Sequence, residues 1–255
     1  MKKLASLITI VLMIAILGNT NAFGVPEIDS KINRKSLELN EKGVRALMAR
    51  EYDLAGDLFL QAVSADKYNL SAAYNLAGVY LIQRKEGAAI TLLTDIASRY
   101  SDDPDIYIRL GDAYFSNQEP IKTKEAYAKA YSIDPEHPGL ASKLGTIYSL
   151  LQDLPAAERM FTKAVEESPQ DGQALLNLSS VLLANKKVEE AIRAAKKSLQ
   201  HSVTSEAYLT LGSAYEEMKD LPNALIAFEK AASLGNKDPQ LQERITSLRK
   251  ISSPS

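Results

Sequence analysis

The chain has 255 residues, and its 30 lysines and arginines against 32 aspartates and glutamates give a formal net charge of −2 at pH 7. It contains no cysteine, which excludes disulfides, thiol catalysis and cysteine-ligated metal sites. The slight acidity argues against a nucleic-acid partner, because such binding depends on clustered positive charge.

The first 22 residues have the pattern of a secretory signal peptide. Lys2 and Lys3 form a short basic start, residues 4–17 are uncharged and mostly apolar, and residues 20–22 are small enough for cleavage. Cleavage leaves 28 basic and 32 acidic side chains, a net charge of −4. The alternative is a retained inner-membrane anchor that faces the periplasm, although the 14-residue apolar run is short for a span of about 20. We therefore expect a periplasmic or secreted bacterial protein.

Residues 23–35 contain Pro26 and no clear periodicity, so we interpret them as a linker. Beyond them a small residue recurs at steps of 34, 34, 34, 34 and 33 residues. A period this constant indicates a repeat array, in which each repeat buries its apolar face by stacking on its neighbours. The six anchor residues are Gly43, Ala77, Gly111, Gly145, Ser179 and Gly212.

Other columns of the repeat predict a helical hairpin. Leu110, Gly111 and Tyr114 share one stripe of a first helix, since residues three or four apart lie on one face. The small anchor lets a second helix approach closely, and an aromatic such as Phe161 fills the space between the helices. Pro155 marks the start of a second helix, because proline is tolerated in a first helical turn.

This pattern resembles the tetratricopeptide repeat (TPR) family. Residues 110–114 (Leu-Gly-Asp-Ala-Tyr), 144–148 and 211–215 match its first helix, and the downstream alanines and aromatics match its second. The resemblance implies an all-α fold: a right-handed superhelical solenoid of six TPR hairpins plus a C-terminal capping helix. The predicted segments are repeats 36–69, 70–103, 104–137, 138–171, 172–204 and 205–238, a capping helix 239–251 and a tail 252–255.

Two copies depart from the family pattern. The first has Lys42 where leucine is usual, which is typical of a terminal repeat whose outer side meets solvent. The fifth has Leu182 and Ala195 where aromatics are usual, which predicts a thinner, more flexible joint.

Catalytic motifs are absent from the sequence, so we expect no enzyme, no cofactor, no metal and no small-molecule substrate. His137 and His201 fall at junctions between repeats and are interpreted as exposed loop residues. Asp103 and Asp105 flank Pro104, and acids there favour a helix start over a cation site. The basic residues 186–197 fall on a second helix, where a solvated outer face is expected and contact with an acidic partner is the alternative.

The resemblance implies that a peptide or helix of a partner protein lies along the concave face, which the first helices line. Apolar and hydroxyl side chains dominate the expected lining, which suits a neutral or apolar segment. The residues carried over by register are Tyr74, Leu81, Ile108, Arg109, Asp112, Phe115, Thr146, Leu176 and Leu183.

One TPR subclass clamps a carboxylate with lysine, asparagine and arginine. Asn75 and Arg109 match two of its positions, but Asn40, Val44 and Asp105 stand where lysine, asparagine and lysine are usual. We therefore predict that this clamp is absent.

These features together predict a non-enzymatic scaffold of the bacterial envelope that serves an assembly such as a pilus, a secretion channel or a cell-wall complex. Membrane contact is expected only through a partner or an uncleaved signal. The alternative is a self-associating structural TPR protein.

Overall fold

A computed structural model describes residues 33–252, so the predicted signal peptide, the linker before Asn33 and the end of the tail lie outside the described residues. The described part forms thirteen α-helices and no strand, which confirms the all-α prediction. The helices are α1 (Arg34–Met48), α2 (Tyr52–Ala65), α3 (Leu70–Ile82), α4 (Glu86–Arg99), α5 (Pro104–Ser116), α6 (Pro120–Ile133), α7 (Leu140–Leu150), α8 (Leu154–Glu167), α9 (Gly172–Ala184), α10 (Val188–His201), α11 (Ser205–Glu217), α12 (Leu221–Ser233) and α13 (Pro239–Ser252).

The chain divides into two compact units, Met1–Glu119 and Pro120–Ser255. The N-terminal unit contains α1 to α5 in its described part, and the C-terminal unit contains α6 to α13. The boundary falls within the predicted third repeat, 104–137, between its first and second helices. Period alone carries no signal for this division, because the 34-residue step continues across it.

Within a hairpin, the aromatic of the second helix packs against the anchor of the first. Phe59 and Phe228 are fully buried. Their rings lie so close to the backbone of Gly43 and Gly212 that an added Cβ would come within 2.7 Å of ring atoms. Glycine is therefore required at these anchors for the helices to pack at this distance.

The fifth hairpin replaces this arrangement with hydrogen bonds. Ser179 on α9 donates its hydroxyl to the carbonyl oxygen of Ala191 on α10 at 2.8 Å, and Ser198 on α10 donates to the carbonyl of Gly172 at 2.7 Å. Ala195 is fully buried. Small side chains and two interhelical hydrogen bonds therefore take the place of the aromatic contact in this hairpin, and the greater flexibility of the joint stays a prediction.

The turn inside each repeat has one residue in the left-handed region, seven positions after the anchor. All six are non-glycine residues with φ between 60° and 63°. The turn between the two helices of each repeat therefore has a left-handed residue that is not glycine. These residues are Arg50, Arg84, Gln118, Gln152, Lys186 and Lys219.

The two ends of the described fold differ from the interior repeats. Lys42 is exposed on α1. At the other end, α13 buries Leu241, Ile245 and Leu248 against α12, as expected of a capping helix. The helix bounds differ slightly from the predicted segments. Helix α1 begins inside the predicted linker because Asn33 accepts a hydrogen bond from the Lys35 amide, and α13 extends one residue into the predicted tail.

Candidate functional site

The first helices of consecutive repeats form what we call the first-helix face of each unit. In the N-terminal unit this face is built by α1, α3 and α5, and in the C-terminal unit by α7, α9 and α11. Successive first helices lie side by side, so residues at equivalent repeat positions become neighbours. This geometry brings together side chains that are about 34 residues apart in the sequence.

An aromatic–cation pair lies on the first-helix face of the N-terminal unit. Tyr74 on α3 donates its hydroxyl to Asp103 at 2.8 Å, and the Arg109 guanidinium on α5 stacks 4.5 Å from the centre of the Tyr74 ring. Burial raises the pKa of Tyr74, and the neighbouring Asp103 carboxylate raises it further. The phenol therefore stays protonated and remains a hydrogen-bond donor at all physiological pH values.

Arg109 has hydrogen-bonding capacity that the fold leaves unused. Its Nε atom is buried without a hydrogen-bond partner among residues 33–252. Stacking on Tyr74 fixes the plane of the group, because cations bind the face of an aromatic ring. The result is an oriented cation on the first-helix face.

The other predicted lining residues of the N-terminal unit form a floor and a rim. Ile108 is buried, whereas Leu81 and Asp112 are half-buried. Phe115, at the end of α5, is 37% exposed and offers an aromatic side chain to solvent. Phe115 is therefore the most accessible apolar residue of the predicted set in this unit.

The asparagines at the clamp positions hydrogen-bond to each other. Asn75 on α3 donates its side-chain amide to the Asn40 side-chain oxygen on α1 at 3.0 Å. Asp105, at another clamp position, lies in the first turn of α5, where Asp103 caps the helix by accepting from the Asp105 amide. The pair Asp103 and Asp105 thus marks a helix start, as predicted.

The predicted residues of the C-terminal unit have different environments. Thr146 on α7 is exposed, and its hydroxyl donates to the Ser142 carbonyl at 2.9 Å. Leu176 on α9 is buried, and Leu183 is half-buried and packs against the cluster around Ile192. Of the three, Thr146 offers the largest accessible surface.

An open cleft of about 340 Å³ lies between α7 and α9 in the C-terminal unit. The repeat register places Thr146 there, but it did not identify the side chains that come from the turn after α7 and from α8. Phe161 belongs to the aromatic packing column of the second helix, and Gln152 is the left-handed residue of the turn. The cleft is lined by Thr146, Ser149, Gln152, Leu154, Phe161, Asn177, Ser180, Val181 and Ala184.

The basic residues around α10 mostly contact neighbouring repeats. Lys187 pairs with Glu158 at 2.6 Å, and Lys186 pairs with Glu217 at 3.1 Å. Lys196 lies over the ring of Tyr215 at 5.6 Å. These contacts are within the C-terminal unit, so much of this positive charge has a structural partner.

Residues 33–252 contain no group of three side chains suited to hold a metal ion. The two histidines differ from the expected exposed loop residues: His137 is half-buried in its loop, and His201 is exposed but ends α10. Among the described helices, none has the length and apolar character needed to cross a membrane.

Comparison of the sequence with known families identifies the repeats. Models of the family described as Tetratricopeptide repeat match residues 104–137, 150–211 and 205–237. Mus musculus "Tetratricopeptide repeat protein 21B" is 28% identical over 199 residues, which cover 74% of this chain and 15% of that protein. Homo sapiens "Protein O-mannosyl-transferase TMTC3" is 28% identical over 196 residues, which cover 72% of this chain and 21% of that protein. The chain thus spans between 15% and 21% of the length of these relatives.

Solved structures give the same fold. YrrB, described as a TPR protein with an unusual peptide-binding site, aligns with a TM-score of 0.67 at 19% identity over 74% of this chain and 97% of that chain. PilF from Pseudomonas aeruginosa aligns with a TM-score of 0.70 at 14% identity over 84% of this chain and 97% of that chain. At these identities the likeness concerns the fold alone, and it confirms the predicted all-α superhelical TPR class.

Proposed function

Since the chain carries tetratricopeptide repeats, we propose that it is a non-enzymatic scaffold of the bacterial envelope that binds a segment of a partner protein on its first-helix face. The observation that carries this proposal is the arrangement of Tyr74, Asp103 and Arg109 in the N-terminal unit. The ring and the guanidinium are already held in place by a 2.8 Å hydrogen bond and a 4.5 Å stack. Groups fixed before binding lose little conformational entropy when a partner arrives.

The residue types also fit a protein partner. Tyrosine and arginine are enriched among the residues that dominate binding energy at protein interfaces. Phe115 adds an exposed aromatic from the same helix as Arg109. Because the Nε atom of Arg109 has no hydrogen-bond partner within the described residues while Phe115 is apolar, we expect a partner segment with an apolar residue beside a hydrogen-bond acceptor.

Placement in the envelope rests on residues 1–22. We propose that they direct export and are removed, so that the repeats act outside the cytoplasm. Cell fractionation with intact-mass measurement tests this. Recovery from the periplasm at the mass of residues 23–255 is expected, and recovery from the cytosol with Met1 or Lys2 retained would contradict it. The kind of assembly, whether pilus, secretion or cell-wall complex, is an inference from analogy between folds.

Affinity capture from envelope extract tests the binding function. The baits are the wild-type chain and a Tyr74→Ala/Phe115→Ala variant. A partner retained by the first bait and lost by the second is expected. If both baits retain a partner equally, binding does not use this face. Capture of the chain's own copies alone would favour the self-associating alternative.

A matched control removes similar apolar area elsewhere in the same unit. Leu60 on α2 and Tyr68 in the loop after α2 are 48% and 56% exposed. The Leu60→Ala/Tyr68→Ala variant should retain the partner. Circular dichroism of all three proteins shows whether loss of capture follows from loss of fold, and Phe115→Ala alone tests the site without disturbing the Tyr74 hydrogen bond.

A further inference from the structure

Two residues of the cleft between α7 and α9 are small at repeat positions where other repeats carry larger side chains. Ser149 occupies the repeat position that holds Leu81, Phe115 and Leu183 elsewhere. Ala184 likewise occupies the position that holds Ile82 and Leu150. Both residues line the cleft of about 340 Å³, which is open to solvent.

The lining of the cleft combines an apolar floor with uncharged polar walls. Phe161, which is 2% exposed, and the aliphatic Leu154 and Val181 supply the apolar part. Thr146 and Ser180 donate their hydroxyls to backbone carbonyls four residues earlier, at 2.9 and 3.0 Å. This leaves the Thr146 oxygen as an acceptor, while the Ser180 oxygen also lies 3.5 Å from the Thr210 hydroxyl.

Two further groups offer hydrogen bonds. Asn177 uses its side-chain oxygen to accept from Gln173 at 2.9 Å, which leaves its NH₂ group as a donor. The Ser149 hydroxyl oxygen is buried and makes no hydrogen bond within residues 33–252. A buried hydroxyl without a partner is costly, and rotation about χ1 would let it meet a group placed in the cleft.

The lack of charge in the lining determines which side chains can occupy the cleft. None of the nine lining residues is ionisable. A carboxylate or ammonium group would lose water on entry without gaining an opposite charge, which is unfavourable. A neutral aromatic ring would instead contact Leu154 and the accessible edge of Phe161, and it would leave its polar neighbours, such as a peptide amide, within reach of Asn177 and the hydroxyls.

We propose that this cleft is a specificity pocket for one neutral aromatic side chain, phenylalanine or tyrosine, in a partner segment that binds the first-helix face of the C-terminal unit. The assignment rests on the proposed function in that it gives the partner segment a chemical class. It differs from the Arg109 region, where an oriented cation is available to an acceptor. The pocket excludes acidic and basic side chains.

The pocket can be tested without knowing the partner. The probes are N-acetyl-phenylalanine amide and N-acetyl-tyrosine amide, with the corresponding aspartate and lysine compounds as charged comparisons. The aromatic probes are added to isotope-labelled protein that is purified from cells expressing the full chain. They should shift the backbone amide signals of Ser149, Asn177 and Ala184 saturably, with a Kd of the order of 1 mM. The charged probes should not shift them.

A variant with a larger side chain in the cleft, and a control with the same change elsewhere, test the pocket. Ala184→Leu extends an exposed alanine of the lining, and Ala128→Leu makes the same change at an exposed alanine on α6. We expect at least a tenfold loss of probe affinity for the first and no change for the second. Equal shifts from charged probes, no shifts at the three amides, or unchanged binding in Ala184→Leu would each overturn the pocket.

Failure of the pocket and failure of the scaffold function are distinguishable. If Tyr74→Ala/Phe115→Ala loses a captured partner while the aromatic probes leave the cleft signals unmoved, the scaffold function stands and the pocket is refuted. If the probes bind and Ala184→Leu abolishes their binding while only the chain's own copies are captured, the pocket stands and the scaffold function is refuted in favour of self-association.

Discussion

The ring of Phe161 on α8 lies against the backbone of Gly145 on α7, where an added Cβ atom would come 2.7 Å from two ring carbons. Contacts this short do not persist, so a larger residue at the anchor must displace the ring or the helix. Phe161 also packs with Ala157 and Val181, which leaves the ring little space to move. This pair therefore sets the separation of the two helices.

Gly145→Ala should destabilise the protein even though alanine is the better helix former. Overpacking in a core costs about 1–3 kcal/mol, which exceeds the roughly 1 kcal/mol gained in helix propensity. Gly145→Leu should be more destabilising, and Phe161→Ala should cost about 3 kcal/mol or more through the cavity it leaves. Urea unfolding followed by circular dichroism measures each effect.

Gly87→Ala on α4 is the matched control. A Cβ atom at Gly87 would meet no atom within 4 Å, so the same substitution should be neutral or stabilising by up to about 1 kcal/mol. Equal effects of the two glycine substitutions would show that the anchor is not limited by contact with the ring.

A larger residue at the aromatic position should be tolerated better when the anchor residue becomes smaller at the same time. In the fifth repeat Ser179 stands at the anchor and Ala195 at the aromatic position, and both are fully buried. Ala195→Phe alone should destabilise by about 1–3 kcal/mol because the ring meets the serine. Adding Ser179→Gly should recover part of that loss. A double-mutant cycle of unfolding free energies measures the coupling, and strictly additive effects would contradict this expectation.

The helical repeat could be predicted from the sequence because its signals are local and periodic. The anchor and the aromatic position of the second helix, Gly145 and Phe161 in the fourth repeat, are 16 residues apart in every repeat. The pattern recognised in one hairpin therefore identifies the others. Pro155 lies in the first turn of α8 as expected. The start of α1 was less predictable, since the Asn33 cap lies in a stretch without periodicity.

The arrangement of the candidate site could be predicted only in part. Register placed Tyr74 and Arg109 on neighbouring first helices, but their stacking and the bond from Tyr74 to Asp103 depend on side-chain geometry that spacing does not carry. The cleft was missed for a different reason: part of its lining, Gln152, Leu154 and Phe161, comes from the turn after α7 and from α8, which the register did not assign to the binding face.

At the turn residue Lys219, glycine should be tolerated better, and valine worse, than at an exposed lysine in a regular helix. Its φ of 60° lies in the left-handed region, and its amide donates to the Glu216 carbonyl at 2.9 Å. Lys219→Gly should be neutral or stabilising by up to about 1 kcal/mol, while Lys219→Val should cost about 1–2 kcal/mol because β-branched residues are strained there. Thermal unfolding measures both.

Lys197→Val, at an exposed position on α10, is the comparison, because valine in a regular helix costs only a few tenths of a kcal/mol relative to lysine. If valine is tolerated equally at both positions, the left-handed backbone does not determine the response of the turn.

Glu158 links α8 to the turn between α9 and α10. One carboxylate oxygen accepts from the Lys187 ammonium at 2.6 Å, and the other accepts from the Asn185 amide at 2.7 Å. The hydrogen bond from Lys187 lowers the pKa of Glu158, and the bond from Asn185 adds to this effect, although burial opposes it. The bond to Glu158 raises the pKa of Lys187 above 10.5, so the lysine stays charged throughout the acidic and neutral range.

Glu158→Gln should therefore change the dependence of stability on pH. A carboxylate whose pKa is lower in the folded state stabilises the fold above its unfolded value, near 4.5, and this contribution is lost as the pH falls through the lower folded value. At pH 7 the variant should be less stable by less than about 1 kcal/mol, because the pair is partly solvated. The difference from the wild type should shrink towards pH 3. Urea unfolding at several pH values measures it, with Glu189→Gln at an exposed position on α10 as the control. A constant difference across this range would show that the Glu158 charge does not contribute to stability.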